Sequence, residues 1–224
     1  MTEAEWLAST ELKQMLRFVR GKASDRRLRL FACACCRRVW PQIPERRSRE
    51  AVEISERFAD GKASLEELER AFSAAYHATH TRRVSGCLGT WHALDAARLA
   101  AHPEMRGLAD GTASAAVMAR ANGEGDFWSE VARQEACQCG LLREVIGNPF
   151  HSVGVHPSWL RGHNRFISNL AEVIYEERGF DRLPILADAL EDAGCDNVDI
   201  LSHLRGPGPH VRGCWVIDLL LGKE

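Results

Sequence analysis

The sequence has almost no net charge and no long apolar run. Its 224 residues carry 29 Lys or Arg and 31 Asp or Glu, a formal net charge of −2. We therefore do not expect nucleic acid as a partner. The longest apolar stretch near either end, 214–221, contains Asp218 and is too short to cross a bilayer. The first residues also lack the basic and then apolar pattern of a signal peptide. We expect a cytoplasmic protein without membrane contact.

Signatures of common enzymes are missing as well. The sequence contains no glycine loop that would cradle a phosphate, no nucleophile elbow and no paired Glu-x-x-His helices of the di-iron type. Strand patterns are nearly absent, and no repeat of fixed period is visible. The leading functional hypothesis is therefore a non-catalytic helical module that binds or regulates another protein.

Helix signals recur from one end of the chain to the other. Leu12, Met15, Leu16 and Val19 follow the spacing of one helix face, and Ser64 with Glu67 forms a capping box. These patterns predict an all-α fold of about nine to ten helices in an orthogonal or bundle-like array, without significant sheet. The last predicted helix covers 209–221.

An irregular passage divides the predicted helices into two groups. It begins at Gly147 and is rich in residues that interrupt helices. We predict an N-terminal helical body at 1–147, an irregular connection at 148–163 and a C-terminal segment of four helices at 164–224. The two helical parts either form separate domains or pack as one.

Eight cysteines in a cytoplasmic protein are more typical of thiols or metal ligands than of disulfides. Cys33 and Cys35 point about 160° apart on a regular helix, so they cannot share one ion. Cys35 lies on the predicted apolar face with Leu28 and Phe31. We expect Cys35 to pack in the core.

The C-terminal tail carries the strongest chemical signal. Cys195, His203, His210 and Cys214 supply two thiols and two imidazoles, and Gly206-Pro207-Gly208-Pro209 predicts a stiff hairpin between the last two helices. Zinc prefers these ligand types in a tetrahedron. These residues either form a zinc site in a metal-stabilised domain or, in the interpretation that we favour, are packed core cysteines and helix-end histidines.

An enzyme that uses the same polar stripe is a further hypothesis. His210, Cys214 and Asp218 have i, i+4 and i+8 spacing in the predicted last helix, with His210 as the general base. The weakness of this hypothesis is distance, because i and i+8 on one helix lie about 12 Å apart.

Basic residues are concentrated near the N-terminus. Residues 17–49 contain eleven Lys or Arg against two acidic residues, whereas 161–224 contains seven basic and eleven acidic residues. Arg26, Arg29, Arg37 and Arg38 are the predicted anion-binding residues, since arginine binds phosphate through two parallel hydrogen bonds. The interpretation that we favour is that this basic surface complements acidic groups of the same molecule.

Three stretches of the sequence also resemble a known group of proteins. They are residues 15–40, the segment Gly147-Asn148-Pro149-Phe150, and residues 186–215 with their GPGPHVRGCW motif. The chain resembles a lineage-expanded family of uncharacterised bacterial proteins, which often occur with repeat-companion domains. The resemblance implies a complete bacterial protein and no particular activity.

Overall fold

The computed structural model describes residues 1–81, 88–105, 107–121, 126–151, 153–160 and 165–223. Within these ranges the chain forms twelve α-helices and no strand, which confirms the predicted all-α fold. The helices are α1 (Glu3–Ala8), α2 (Leu12–Val19), α3 (Asp25–Arg38), α4 (Arg46–Ala59), α5 (Leu65–Thr81), α6 (Leu88–Ala100), α7 (Leu108–Ala121), α8 (Phe127–Ile146), α9 (Arg165–Glu177), α10 (Leu183–Asp192), α11 (Val198–Arg205) and α12 (Trp215–Leu221).

The helix count exceeds the predicted nine to ten partly because of α1. This helix has only six residues and buries one of them, Trp6, so it has no apolar periodicity to detect. Its capping box, formed by Thr2 and Glu5, holds the first turn. None of the helices in the described residues is long and apolar enough to cross a bilayer.

The chain divides into two compact units, Met1–Leu142 and Arg143–Glu224. The second unit thus begins inside α8, earlier than the predicted connection at 148–163. Residues 152 and 161–163 of that predicted connection, and the ends of the predicted C-terminal segment at 164 and 224, lie outside the described residues.

In the first unit, α3 is the central helix. The Ser24 side chain accepts a hydrogen bond from the Arg27 amide at 3.3 Å, which caps the first turn. Eight of the fourteen residues of α3 are buried, and Cys33, Cys35 and Cys36 are among them. Helices α4, α6 and α7 pack around α3. Buried alanines in α6 and α7 let these two helices approach closely.

The predicted capping box of α5 is confirmed. The Ser64 amide donates to Glu67 Oε2 at 2.7 Å, and the Glu67 amide donates to Ser64 Oγ at 3.1 Å. Each side chain therefore satisfies a backbone donor that the first helical turn leaves without a partner.

Arg29 connects α3 to the segment after α6. Its side chain is buried, with 3% exposed, and donates to the carbonyls of His102 at 2.9 Å and Pro103 at 2.8 Å. It also lies 3.4 Å from Ser55 Oγ and from the Ala100 carbonyl. The guanidinium thus supplies donors to carbonyls that the end of α6 leaves without helical partners.

The second unit surrounds an apolar core from α9, α10, α11 and α12. Ile174 and Tyr175 of α9, Leu186 of α10 and Ile217 of α12 are fully buried in it. Helix α9 packs against both α10 and α12. The Arg212 guanidinium lies 4.3 Å from the centre of the Tyr175 ring, which fixes the chain before α12 against α9.

The prediction that the last helix covers 209–221 is wrong for the first half of this range. Helix α12 begins at Trp215, and residues 207–214 are not helical. Gly213 has a φ of +92°, a conformation outside the helical region, and Cys214 is the N-cap residue. His210 and Cys214 therefore do not share a helix face with Asp218.

We predict that Arg29→Ala lowers the free energy of unfolding by about 3 kcal/mol, because buried carbonyls lose their donors. Arg27→Ala, on the same helix, is the control and should change it by less than about 0.5 kcal/mol. Urea titrations followed by circular dichroism measure both. Equal effects of the two substitutions would contradict the structural role of Arg29.

Candidate metal centre

Four potential metal ligands meet in the second unit. Glu144 lies in the last turn of α8, His203 near the end of α11, and His210 and Cys214 in the connection between α11 and α12. Each offers one ligand atom, and these atoms all lie within 4.8 Å of one another. The arrangement can hold a metal ion.

Three of the separations match a small tetrahedral site. His203 Nε2 lies 3.2 Å from Cys214 Sγ and 3.3 Å from Glu144 Oε2. His210 Nδ1 lies 3.3 Å from Glu144 Oε1. Bonds of 2.0 to 2.3 Å in a tetrahedron place neighbouring ligand atoms about 3.3 to 3.8 Å apart. A modest adjustment of the side chains would complete the coordination.

Glu144 is the buried charge of this cluster, with 4% of the residue exposed. Burial by itself raises the pKa of a carboxyl group, but the hydrogen bonds from His203 and His210 outweigh burial, and the pKa of Glu144 is lowered. Cys214 is fully buried. Burial raises the pKa of its thiol, and the Glu144 charge raises it further. Cys214 is therefore a neutral thiol when no metal is bound.

The ring of His210 is held in one orientation. Its Nε2 lies 3.1 Å from the Gly206 carbonyl, which can only accept a hydrogen bond, so Nε2 carries a proton. Nδ1 then faces Glu144. A metal-binding histidine usually donates its other ring N–H to a carbonyl or carboxylate in this way. Burial disfavours the charged ring, but Glu144 outweighs burial and the pKa of His210 is raised.

His203 has a different partner on its outer nitrogen. Trp215 Nε1 donates to His203 Nδ1 at 3.1 Å, and an indole N–H can only donate. In this arrangement Nε2 of His203 therefore carries the ring proton and donates to Glu144 or Cys214. A metal at Nε2 would require the proton to sit on Nδ1, where it would oppose the Trp215 N–H. Metal binding must therefore break the Trp215 hydrogen bond.

Two glycines allow this close packing. A Cβ on Gly208 would lie 2.7 Å from the His210 amide nitrogen and 3.1 Å from its ring, and Gly208 has a φ of +86°. A Cβ on Gly147, which follows α8, would lie 3.1 Å from Trp215 Cγ. The His210 ring thus packs against the backbone at Gly208, inside the Gly-Pro-Gly-Pro segment. The sequence predicted only that this segment is a hairpin between two helices, not that it positions His210.

Of the four predicted ligands, the structure brings together His203, His210 and Cys214 but places Cys195 outside the group. Cys195 is buried in the apolar core, where its amide donates to the Leu190 carbonyl at 2.9 Å after α10 ends. The fourth member, Glu144, was missed by sequence reasoning. It stands among buried apolar residues of α8, and a carboxylate in that setting needs a partner. The carboxylate beside His210 in the described residues is thus Glu144 and not Asp218.

The four predicted anion-binding arginines are engaged within the first unit. Arg26 pairs with Asp60 at 3.1 Å, and Arg37 binds both oxygens of Glu56 at 3.1 and 2.7 Å. Arg38 donates to the Gln134 side chain at 3.1 Å, and Arg29 binds backbone carbonyls as described above. The fold uses these guanidinium groups internally instead of presenting them together to an anion.

The cysteines of α3 are core residues. Cys33, Cys35 and Cys36 are all buried, which confirms the packing expected for Cys35. Burial raises the pKa of Cys33 to about 12 and raises those of Cys35 and Cys36 as well. Thiols in this environment are poor nucleophiles, because the thiolate is the reactive form.

No protein-family model, curated protein or solved structure matches the chain. The family resemblance suggested by the sequence motifs therefore stays a prediction.

We predict that the metal-free protein gains a pH-dependent contribution to stability from Glu144 and His210. The raised pKa of His210 stabilises the folded state below about pH 6.5, and this contribution is lost as the pH rises through the folded pKa. The lowered pKa of Glu144 stabilises the folded state above about pH 4.3. This second contribution is lost as the pH falls through the pKa that Glu144 has in the folded protein.

The test compares the unfolding free energy of wild type with that of Glu144→Gln. Both proteins are unfolded with urea in the presence of a chelator, at several pH values between about 4 and 7. The difference in unfolding free energy should be largest between about pH 4.3 and 6.5. A difference that does not vary with pH would count against an ionised pair.

Proposed function

We propose that the second unit is a zinc-stabilised helical domain, in which Glu144, His203, His210 and Cys214 bind one zinc ion. The observation that carries the proposal is the convergence of one carboxylate, two imidazoles and one thiol within 4.8 Å. His203, His210 and Cys214 are near one another in sequence, but Glu144 is 66 residues from His210, so sequence proximity alone does not explain the convergence.

Zinc fits this set of ligands better than other common metals. Magnesium and calcium favour oxygen ligands at six or more positions, whereas zinc accepts mixed sulfur, nitrogen and oxygen ligands in a tetrahedron. The charges also balance. A divalent ion with the Glu144 carboxylate and the Cys214 thiolate gives a neutral centre, which lowers the cost of burying it.

The proposed role is structural because four protein ligands complete a tetrahedral zinc site. A catalytic zinc keeps one position open for water or substrate. Glu144 and His210 are 66 residues apart in sequence, so the ion would close a long loop and join the end of α8 to the chain before α12. Metal that binds only the folded unit stabilises it.

A structural zinc site also supports the hypothesis of a non-catalytic module that binds another protein. Phe166 and Val198, in the same unit, are 57% and 73% exposed and offer apolar contact area. Single exposed apolar residues are common in proteins, so Phe166 and Val198 alone do not indicate a binding surface. The proposal depends on the zinc site.

We expect protein expressed with added zinc to contain about one zinc per chain. Cys214→Ser should lose most of this zinc. Cys195→Ser is the matched control and should retain it, because Cys195 is also buried in the core but lies outside the cluster. Elemental analysis of the purified variants measures the metal content, and circular dichroism checks their folding.

Two results would overturn the proposal. Either the wild-type protein contains far less than one zinc ion per chain, or Cys195→Ser loses as much zinc as Cys214→Ser. If Cys214→Ser does not fold, wild type loaded with Co²⁺ gives a second test. It should show a thiolate-to-cobalt charge-transfer band, and the absence of that band would exclude Cys214 as a ligand.

We further predict that Trp215→Phe binds zinc about fivefold more tightly than wild type. The substitution removes a hydrogen bond of about 1 kcal/mol that competes with metal binding at His203. Competition with a chromophoric chelator measures both affinities. Weaker binding by the variant would mean that the indole supports the metal-bound form.

A further inference from the structure

A separate cavity lies in the first unit, between α2, the start of α3 and the start of α7. Its volume is about 180 Å³. Lys13, Arg17 and Arg20 line one side, Leu16 and Leu28 form an apolar wall, and the first residues of α7 complete it. None of the four proposed zinc ligands lies in this unit.

The three basic residues form one positive face. Their i, i+4 and i+7 spacing places them on the same side of α2 and its C-terminal end. No side-chain hydrogen bond or ion pair of Lys13, Arg17 or Arg20 occurs within the described residues, in contrast to Arg26 and Arg37 of the following helix. Three cations at one cavity, against the single carboxylate of Asp110, favour an anionic ligand.

The start of α7 adds to this positive character. Gly107 and Ala109 line the cavity at the N-terminus of a fourteen-residue helix, where backbone N–H groups lack helical partners. Gly107 has a φ of +84°, and Arg20 Nη2 lies 3.8 Å from the position that a Cβ would occupy there. The Arg20 guanidinium therefore lies close to the helix N-terminus.

Asp110 adds a different kind of group to the site. It is the one acidic residue among those that line the cavity. A ligand that carries an N–H or O–H group can donate to its carboxylate, whereas a simple anion is repelled by it.

We propose that this cavity binds a small phosphomonoester that also carries an N–H or O–H donor. The phosphate would be bound by Lys13, Arg17 and Arg20. The Asp110 carboxylate would accept a hydrogen bond from the N–H or O–H group of the ligand. The carbon atoms between these two ends would contact Leu16 and Leu28. Three cations against one carboxylate match the double negative charge of phosphate better than the single charge of a carboxylate. The volume is below the range of about 300 to 1,000 Å³ typical of drug-sized ligands, so the ligand is smaller than a nucleotide.

Phosphoethanolamine is a suitable probe, because it joins a phosphate to an ammonium donor. Calorimetric titration of the full chain should give saturable binding about tenfold tighter than that of inorganic phosphate, with ethanolamine alone not binding. Arg17→Gln with Arg20→Gln should weaken both phosphate ligands by about tenfold or more. Arg27→Gln removes a nearby cation that does not line the cavity; it is the control and should leave binding unchanged.

Asp110→Asn separates the two halves of the site. It should weaken phosphoethanolamine but not inorganic phosphate, since only the former has a group for Asp110 to bind. The proposal is overturned if neither phosphate ligand shows saturable binding at millimolar concentration, or if the double substitution has no effect. It also fails if Arg27→Gln weakens binding as much as the double substitution, which would indicate attraction to charge alone. Thermal unfolding of each variant confirms that it is folded.

Discussion

The second unit is organised around a carboxylate that has been removed from water. An ionised group buried like Glu144 is costly unless charged or hydrogen-bonding partners surround it. These partners, His203, His210 and Cys214, come from the end of α11 and the connection that follows it. This requirement explains why the last turn of α8 belongs to the second unit although the rest of that helix belongs to the first. It also explains the unusual backbone before α12, since His210 reaches Glu144 only if its ring packs against Gly208.

The charge of Glu144 can be balanced in two ways, and the two differ at His203. Without metal, the Nε2–H of His203 and the His210 ring, which is charged below its raised pKa, face the carboxylate. Cys214 remains a thiol, and Trp215 donates to the outer nitrogen of His203. With zinc bound as proposed, the thiol would be deprotonated and the ring proton of His203 would lie on the outer nitrogen. The same side chains can therefore close the site with hydrogen bonds or with a metal ion. The position of the Trp215 indole distinguishes the two forms, because it is compatible with only one of them.

Local patterns predicted most of the fold, while the site depends on contacts that are distant in sequence. The capping box of Ser64 and Glu67 and the apolar spacing in α2 involve residues within about two helical turns, so they could be recognised directly. The start of α12 could not, because a proline near a helix start is tolerated and nothing in the sequence reveals the non-helical backbone angles at Gly213 and Cys214. Cys195 was chosen for its nearness in sequence to His203. Glu144 was missed because nothing in the sequence relates α8 to the tail.

The basic N-terminal stretch shows why net charge does not identify a binding surface. Arg26 and Arg37 lie in the same stretch as Arg17 and Arg20, and composition treats all four alike. In the structure, α4 runs beside α3 and brings Glu56 to Arg37, and Asp60 at its end reaches Arg26. The basic side chains of α2 face the start of α7, where Asp110 is the one carboxylate that lines the cavity and the backbone N–H groups are positive. A cation is therefore available to a ligand where basic side chains outnumber the carboxylates of the neighbouring helix, and this depends on which helices are neighbours. The predicted anion site was thus assigned to arginines that the fold uses for its own stability, whereas the residues that remain available stand one helix earlier in the chain.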